Sequence, residues 1–136
     1  MKHPFLFGYQ LLAGVSDTST GALLMAAPVL TLSLMGLHAP ADAAPFLSFI
    51  GAFVLAVGLS YLYGGLLIGR AGNSSRLEAV WLLTAIIRSA VAVFVLTAVL
   101  EGALQAGWLA IAAFDAACVL VQAVGLRKGW LLHVAS

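Results

Sequence analysis

The chain has 136 residues, of which 63% are hydrophobic and only 8% are charged, and its formal net charge is +1. A soluble domain of this length would carry about 25% charged residues and about 45–50% apolar ones. This small number of charged side chains cannot cover a protein surface in water. The composition therefore predicts that lipid is the solvent for much of the chain. Six scattered basic residues exclude a nucleic-acid-binding surface. A single cysteine, Cys118, excludes an internal disulfide and a CxxC redox motif.

The amino-terminal part of the chain predicts one membrane span, which we place at about residues 18–37. Asp17 and Thr18 stand at its start, and both are residue types that favour the N-cap of a helix. Pro28 lies inside this span and predicts a kink, which membrane helices tolerate. Residues 4–15 predict an interfacial helix or a helical run-in to the span. We prefer this to a signal-peptide core because no small-residue cleavage site follows closely.

Three further spans are predicted at about residues 46–69, 77–100 and 108–126. Segments rich in turn-forming residues separate them, namely 38–45 with two prolines and 70–76 with Gly, Asn and two Ser. Because short loops join neighbouring helices, we expect them to pack antiparallel. The predicted fold class is therefore an all-α integral membrane protein, a single up-down bundle of four transmembrane helices over the whole chain.

Small residues recur at every fourth position of the second span, which predicts close helix packing in lipid. The row consists of Ala52, Ala56, Ser60 and Gly64. We expect this row to pack against a neighbouring helix of the same chain. A contact face between two copies of the chain is the alternative, because such patterns serve both purposes.

The basic residues predict the orientation of the chain in the membrane. Five of the six lie on one side of a four-span topology: Lys2, Arg70, Arg76, Arg127 and Lys128. The loops on the opposite side hold Asp42 and Glu101 and no Lys or Arg. Since cytoplasmic loops are enriched in Lys and Arg, we predict that both termini are cytoplasmic. The predicted location is the bacterial inner (plasma) membrane, which the chain crosses several times.

The sixth basic residue, Arg88, is predicted to lie near the middle of the third span. An arginine at that depth costs at least about 2.5–3.5 kcal/mol and rarely faces lipid. We therefore expect it to point into the bundle and to have a partner. Asp115 lies at a similar depth in the fourth span and supplies the opposite charge. Gln122 is two helical turns further on the same face and is the predicted second acceptor.

Two interpretations of these residues stay open. In one, Arg88 and Asp115 form a buried structural pair that fixes which helices meet, with Gln122 satisfying the remaining donors of the arginine. In the other, they line a polar cavity for a headgroup, an anion or a quinone, to which Tyr61 contributes, because ionisable residues inside a membrane are often functional. The two interpretations are compatible if the pair frames a pocket.

A second polar cluster consists of Asp17, Thr18 and Thr20, near the predicted inner end of the first span. Capping of the helix is the structural explanation. A second binding site at the cytoplasmic mouth of the bundle is the functional alternative.

The usual signatures of catalysis are missing from the sequence. The three histidines, His3, His38 and His133, lie near predicted loops or chain ends. A buried haem would need a deep pair of axial ligands, and a metal site would need clustered Cys, His or acidic residues. No P-loop, GxSxG, HExxH or dinucleotide fingerprint occurs. We predict no catalytic residue, no metal site and no cofactor held by the chain alone, with a bound lipid or quinone as the candidate ligand.

Several stretches of the sequence resemble the DoxX-like family of small bacterial membrane proteins with four helices. They are GVSDTSTGALL at the first span, followed by Pro28, then FVLAVGLSYLY in the second span, Arg88 in the third and Asp115 in the fourth. The resemblance implies the same architecture. It also implies quinone-linked sulfur oxidation or a role as an accessory membrane subunit, and it assigns no catalytic residue.

The leading hypothesis of function is a non-catalytic membrane subunit that packs against a larger complex of respiratory or photosynthetic electron transport. The alternative is a stand-alone DoxX-like protein that binds a quinone or lipid around Arg88 and Asp115. A third class is a small oligomeric transporter, although two embedded charges that neutralise each other leave no lone acid to couple protons. The expected partners are membrane lipid and either a larger membrane complex or further copies of the chain.

Overall fold

The computed structural model describes residues 4–68 and 72–132. This part of the chain contains helices and no strand. The α-helices are α1 (Pro4–Ala26), α2 (Pro28–Leu34), α3 (Ala44–Tyr63), α4 (Ser74–Leu100) and α5 (Leu109–Arg127). Short 3₁₀ turns, Ala41–Ala43 and Ala106–Trp108, precede α3 and α5, and a π-helical segment, Gly64–Ile68, continues α3.

Three helical stretches in the described part of the chain are long and apolar enough to cross a membrane. They are Ala41–Leu67, Ser74–Leu100 and Ala106–Arg127. The chain is therefore an all-helical, multi-pass membrane protein. The helices form two compact units, the first containing α1, α2 and α3 and the second containing α4 and α5.

The first helix differs from the predicted first span. It begins at Pro4, whose missing N–H is no loss in the first turn of a helix, and it continues through Asp17 and Thr18. The prediction that these two residues cap the start of the helix is therefore wrong. The polar run is accommodated inside the helix because Asp17 is buried and the Ser19 hydroxyl donates to the Val15 carbonyl oxygen, 2.7 Å away.

Pro28 interrupts the helix, as its missing N–H predicts. Ala27, between α1 and α2, has φ −148° and ψ 67° and is not helical. The backbone hydrogen bonds resume at once, because the Thr31 N–H donates to the Ala27 carbonyl oxygen at 2.9 Å. The short helix α2 then ends at Leu34, before the left-handed Gly36 (φ 73°). A helix over 4–26 and a second over 28–34 thus occupy the region where we predicted one span over 18–37.

Glycines bring α1 and α3 into backbone contact. A Cβ atom added to Gly51 would lie 2.9 Å from the carbonyl oxygen of Gly21, and one added to Gly21 would lie 2.8 Å from that of Gly51. Two turns away along both helices, a Cβ atom on Gly14 would lie 3.2 Å from the carbonyl oxygen of Gly58. Such distances leave no room for side chains, so this packing depends on glycine at these positions.

The predicted row of small residues is not the row that meets α1. Ala56 and Ser60 are exposed, and the Ser60 hydroxyl donates to the Ala56 carbonyl oxygen of its own helix at 2.8 Å. Their packing against another helix of the chain therefore stays a prediction. The face of α3 that meets α1 carries Gly51 and Gly58 instead, because glycine permits a closer approach than alanine or serine. The homodimer alternative stays a prediction.

The second unit begins with a capped helix. The side-chain Oδ1 of Asn73 accepts a hydrogen bond from the Arg76 N–H at 3.1 Å and so satisfies one donor at the start of α4. The core of this unit holds Leu77 and Trp81, both fully buried. Trp81 packs against α5 at Gly125, where an added Cβ atom would lie 2.6 Å from the indole Cζ3.

Candidate functional site

The buried polar side chains define the candidate sites, because such groups are costly to bury and need partners. They belong to α1, α2, α4 and α5: Gln10, Asp17, Thr31, Thr84, Arg88, Asp115 and Gln122. Thr31 is satisfied locally, since its hydroxyl donates to the Ala27 carbonyl oxygen at 2.8 Å. Of the rest, Gln10 and Asp17 belong to the first unit, and the other four belong to the second.

The structure brings Arg88 of α4 and Asp115 of α5 together. The Nη1 group of Arg88 donates to Oδ1 of Asp115, and the two residues are only 3% and 7% exposed. The guanidinium carbon also lies 5.2 Å from the centre of the Phe114 ring, a distance at which a cation is attracted to the ring face. The arginine is thus held by an opposite charge and an aromatic ring from the same neighbouring helix.

Gln122 is buried at the same interface but has different partners from those predicted. Its Nε2 group donates to the Trp81 carbonyl oxygen at 3.1 Å and to the Thr84 hydroxyl at 2.7 Å. Its own oxygen, Oε1, is buried without a hydrogen-bond partner among the described residues. The prediction that Gln122 accepts a hydrogen bond from Arg88 is therefore wrong.

The reason is the antiparallel course of the two helices. Gln122 lies level with Trp81 and Thr84, whereas Arg88 is further along α4 and extends to Asp115, which is earlier on α5. Together Thr84, Arg88, Asp115 and Gln122 form what we call the α4–α5 polar seam. Its two charges are opposite in sign, so the seam carries no net charge when both are ionised.

The first unit contains a second buried polar cluster, around Tyr61. The Nε2 group of Gln10 donates to the Tyr61 carbonyl oxygen at 3.1 Å, and the Tyr9 and Tyr61 hydroxyl groups lie 3.2 Å apart. The two tyrosine rings meet edge to face with centroids 6.0 Å apart. Tyr61 is fully buried and lies just before the π-helical segment. π-helical turns are frequent at functional sites. The predicted place of Tyr61 beside Arg88 stays a prediction.

A shallow groove adjoins this cluster. Its lining comes from α1, the end of α3 and the π-helical segment: Phe7, Gln10, Leu11, Tyr61, Leu62, Gly65 and Leu66. Gly65 lies close to Gln10, since a Cβ atom added there would lie 2.8 Å from Cγ of Gln10. The groove is therefore mostly apolar, with one amide and one tyrosine.

Gln10 was not among the predicted site residues, although the spacing of residues along α1 indicates that it is buried. Residues buried along α1 recur at alternating spacings of four and three: Gln10, Gly14, Asp17, Gly21 and Leu24. This spacing is typical of one helix face packed against another. If one helix is predicted from Gln10 through Asp17, this spacing places Gln10 on the same buried face.

The polar cluster of α1 does not lie where it was predicted. Asp17 is 8% exposed and lies about 20 Å along the helix from Pro4, near its middle rather than at its inner end. Thr18 has a buried hydroxyl oxygen with no hydrogen-bond partner in the described part of the chain. Thr20 is only half-buried. A binding site at the cytoplasmic mouth of the bundle therefore stays a prediction.

Within the described ranges, no group of three or more His, Cys, Asp or Glu residues could hold a metal ion. Comparisons of the chain with protein families, curated proteins and solved structures find no match. The resemblance to DoxX-like proteins therefore stays a prediction.

Proposed function

We propose that this chain is a non-catalytic integral membrane subunit with four spans that packs against a larger complex of respiratory or photosynthetic electron transport. The observation that carries the proposal is that polar groups of the long helices bind to neighbouring helices. Arg88 is bonded to Asp115, and Gln10 and Gln122 donate to backbone carbonyl oxygens. These groups hold helices together and do not present a reacting side chain to a substrate.

The fourth span of the proposal is α1. Its 23 residues extend over about 34 Å, more than the roughly 30 Å of a hydrocarbon core. It lies along α3 from one end, where Gln10 contacts Tyr61, to the other, where the Ser48 hydroxyl donates to the Met25 carbonyl oxygen at 3.2 Å. Asp17 is buried rather than turned to lipid. Gln10 and Asp17, the buried polar side chains of this helix, lie against protein.

The proposed orientation places both termini in the cytoplasm. Arg76 lies in the first turn of α4, Arg127 is the last residue of α5 and Lys128 is its C-cap, so these cations share one end of the second unit. Glu101 directly follows α4, at the opposite end of that unit, and Asp42 belongs to the 3₁₀ turn before α3. This asymmetry follows the positive-inside rule, and it supports a location in the bacterial inner membrane.

The outward faces of the long helices support packing against lipid and a partner protein. Large apolar side chains are exposed on them, among them Phe53 at 61% and Phe94 at 65%. Exposed apolar area of this kind is expected for a protein that has lipid or another membrane protein as its neighbour. The resemblance to DoxX-like proteins, some of which are accessory subunits, points in the same direction.

The test is purification from the native membrane with a carboxy-terminal tag in a mild detergent. Co-eluting chains are identified by mass spectrometry, and the visible absorbance spectrum is recorded. We expect a large assembly with haem or chlorophyll bands, which dissociates in a harsher detergent. A control preparation from cells with the untagged chain should contain none of these proteins. Elution as a lone chain or small homo-oligomer would overturn the proposal.

A second candidate function is a stand-alone protein that binds a quinol or a lipid headgroup beside the α4–α5 polar seam. The observation that favours it is the buried Oε1 of Gln122, an acceptor without a donor in the described part of the chain. A quinol hydroxyl or a headgroup hydroxyl could supply that donor. Organic extraction of the purified protein should then release such a molecule from the wild type and much less from Gln122→Met. Equal yields from both would reject this candidate.

A further inference from the structure

We propose that the end of the second unit where α4 begins and α5 ends binds the headgroup of an anionic phospholipid. This site is separate from the polar seam and goes beyond the proposed function, since it does not require that the chain belong to a complex. Three features of the described residues carry it: a folded-back chain end, three exposed cations and an apolar stripe directly beneath two of them.

The chain folds back on itself after α5. Gly129 is left-handed (φ 63°), the Trp130 N–H donates to the Gly125 carbonyl oxygen at 3.0 Å, and the Gly129 N–H donates to the Leu126 carbonyl oxygen at 3.2 Å. This pair of hydrogen bonds is a Schellman motif, which reverses the chain at a helix end. As a result Trp130 packs over Gly125, where an added Cβ atom would lie 2.9 Å from the indole Cε3, and Leu131 is only 1% exposed.

Three cations lie at this end of the second unit. Arg76, Arg127 and Lys128 are exposed, and the structure contains no ion pair of theirs within the described ranges. They lie at similar depth, because Trp81 packs on Gly125. Arg76 precedes Trp81 by about 7.5 Å of helix, and Arg127 follows Gly125 by about 3 Å.

The negative charge nearby does not balance these cations. Glu78, half-buried in the second turn of α4, is the described acidic residue at this end. Three positive side chains and one negative one leave an excess that attracts phosphate. Trp130 adds an aromatic ring of the type that is enriched at the level of lipid headgroups.

The surface beneath the cations fits an acyl chain. Val124 is three residues before Arg127 and four before Lys128, so it shares their face of α5, and Leu120 lies a further turn below. These two side chains are 40% and 66% exposed. Cations above an apolar stripe match an anionic phospholipid, whose charged phosphate group lies above its acyl chains. An acidic segment of a protein would match the cations but not the stripe.

The experiment compares lipid binding by the purified, delipidated chain in detergent, measured by native mass spectrometry with phosphatidylglycerol and with phosphatidylcholine. We expect the wild type to bind phosphatidylglycerol more tightly and to lose that preference at high salt. The variant Arg127→Gln/Lys128→Gln should bind it about fivefold more weakly for each cation removed, or on the order of 25-fold in total. Phosphatidylcholine binding should not change.

Two controls keep the test decisive. Glu78→Gln removes the acid from the same end and should keep or strengthen phosphatidylglycerol binding. The thermal midpoint of the double variant in detergent alone, compared with the wild type, shows that it is folded. Equal binding of the two lipids by the wild type, or unchanged phosphatidylglycerol binding by the folded double variant, would overturn the proposal. A folded double variant that instead loses an acidic protein from native-membrane preparations, with lipid binding unchanged, would assign these cations to a protein partner.

Discussion

Arg88 lies in a long apolar helix, and its surroundings explain why it is tolerated there. Asp115 accepts a hydrogen bond from it and supplies the opposite charge, and the Phe114 ring lies beside its guanidinium group. Both residues belong to α5. Removal of one member of such a buried pair leaves an uncompensated charge, whereas replacement of both by apolar side chains of similar size is often neutral. The seam therefore offers a direct way to separate structural from ligand-binding roles.

We predict that Arg88→Met and Asp115→Leu, made singly, each lower the free energy of unfolding by about 3–5 kcal/mol. The double variant should be close to the wild type, because no buried charge is left without a partner. Unfolding in detergent, followed by circular dichroism, measures all three. Arg76→Met, at an exposed arginine, is the matched control and should change stability by less than about 1 kcal/mol. A mild effect of both single variants would contradict the pairing.

The residues of the seam show how far the sequence could predict a site. Arg88 and Asp115 were predictable because they are opposite charges at similar depths in adjacent spans. The partners of Gln122 were not, because an amide can donate as well as accept, and the sequence does not reveal the helix register that places Trp81 and Thr84 opposite it. Gln10 was hidden for a similar reason, since its partner is a backbone carbonyl oxygen of α3.

At the scale of whole elements, α3, α4 and α5 could be located from sequence, and α1 could not. The apolar runs and turn-forming residues around 38–45 and 70–76 gave the three long helices to within a few residues. In α1 the run SDTST has the composition of a helix start. In the structure Asp17 and Thr18 of this run lie against Gly58 of α3 in the middle of a helix, and that contact is not visible from neighbouring residues in the chain.

The α1–α3 contact predicts opposite effects for two glycines of the same helix. Gly21→Ala should destabilise the protein by about 1–3 kcal/mol, because the new methyl group would lie 2.7 Å from Cα of Leu55 and would force the helices apart. Gly8→Ala is the control. Apart from its chain neighbours and its own helix backbone, no described atom lies within 4 Å of its added Cβ, so the higher helix propensity of alanine should stabilise the protein by up to about 1 kcal/mol. Unfolding in detergent compares the two, and equal effects would refute close packing at Gly21.

The break between α1 and α2 gives another prediction at this scale. Pro28→Ala restores an N–H group that can donate to the Leu24 carbonyl oxygen. We expect the two helices to join into one that continues to Leu34. Hydrogen–deuterium exchange should show slow exchange of the new amide at position 28 and of its neighbours. Fast exchange at position 28 would mean that the bend is fixed by contacts of α2 rather than by the proline.

At the scale of the whole molecule, the proposed topology depends on α1. Three other stretches are long and apolar enough to cross the membrane, and an additional crossing by α1 would return both termini to one side. The five basic residues near the chain ends and the 70–76 segment would then share the cytoplasmic side. Without that crossing, the amino terminus would lie on the same side as Asp42.

The deciding measurement is the accessibility of single cysteines to a membrane-impermeant thiol reagent in intact cells. The buried Cys118 is first replaced by serine, and His3→Cys, Asp42→Cys, Ser75→Cys and Glu101→Cys are made one at a time. We predict that Asp42→Cys and Glu101→Cys are labelled, whereas His3→Cys and Ser75→Cys are labelled only after the membrane is permeabilised. Labelling of His3→Cys together with Asp42→Cys in intact cells would show that α1 does not cross, and the four-span topology would be wrong.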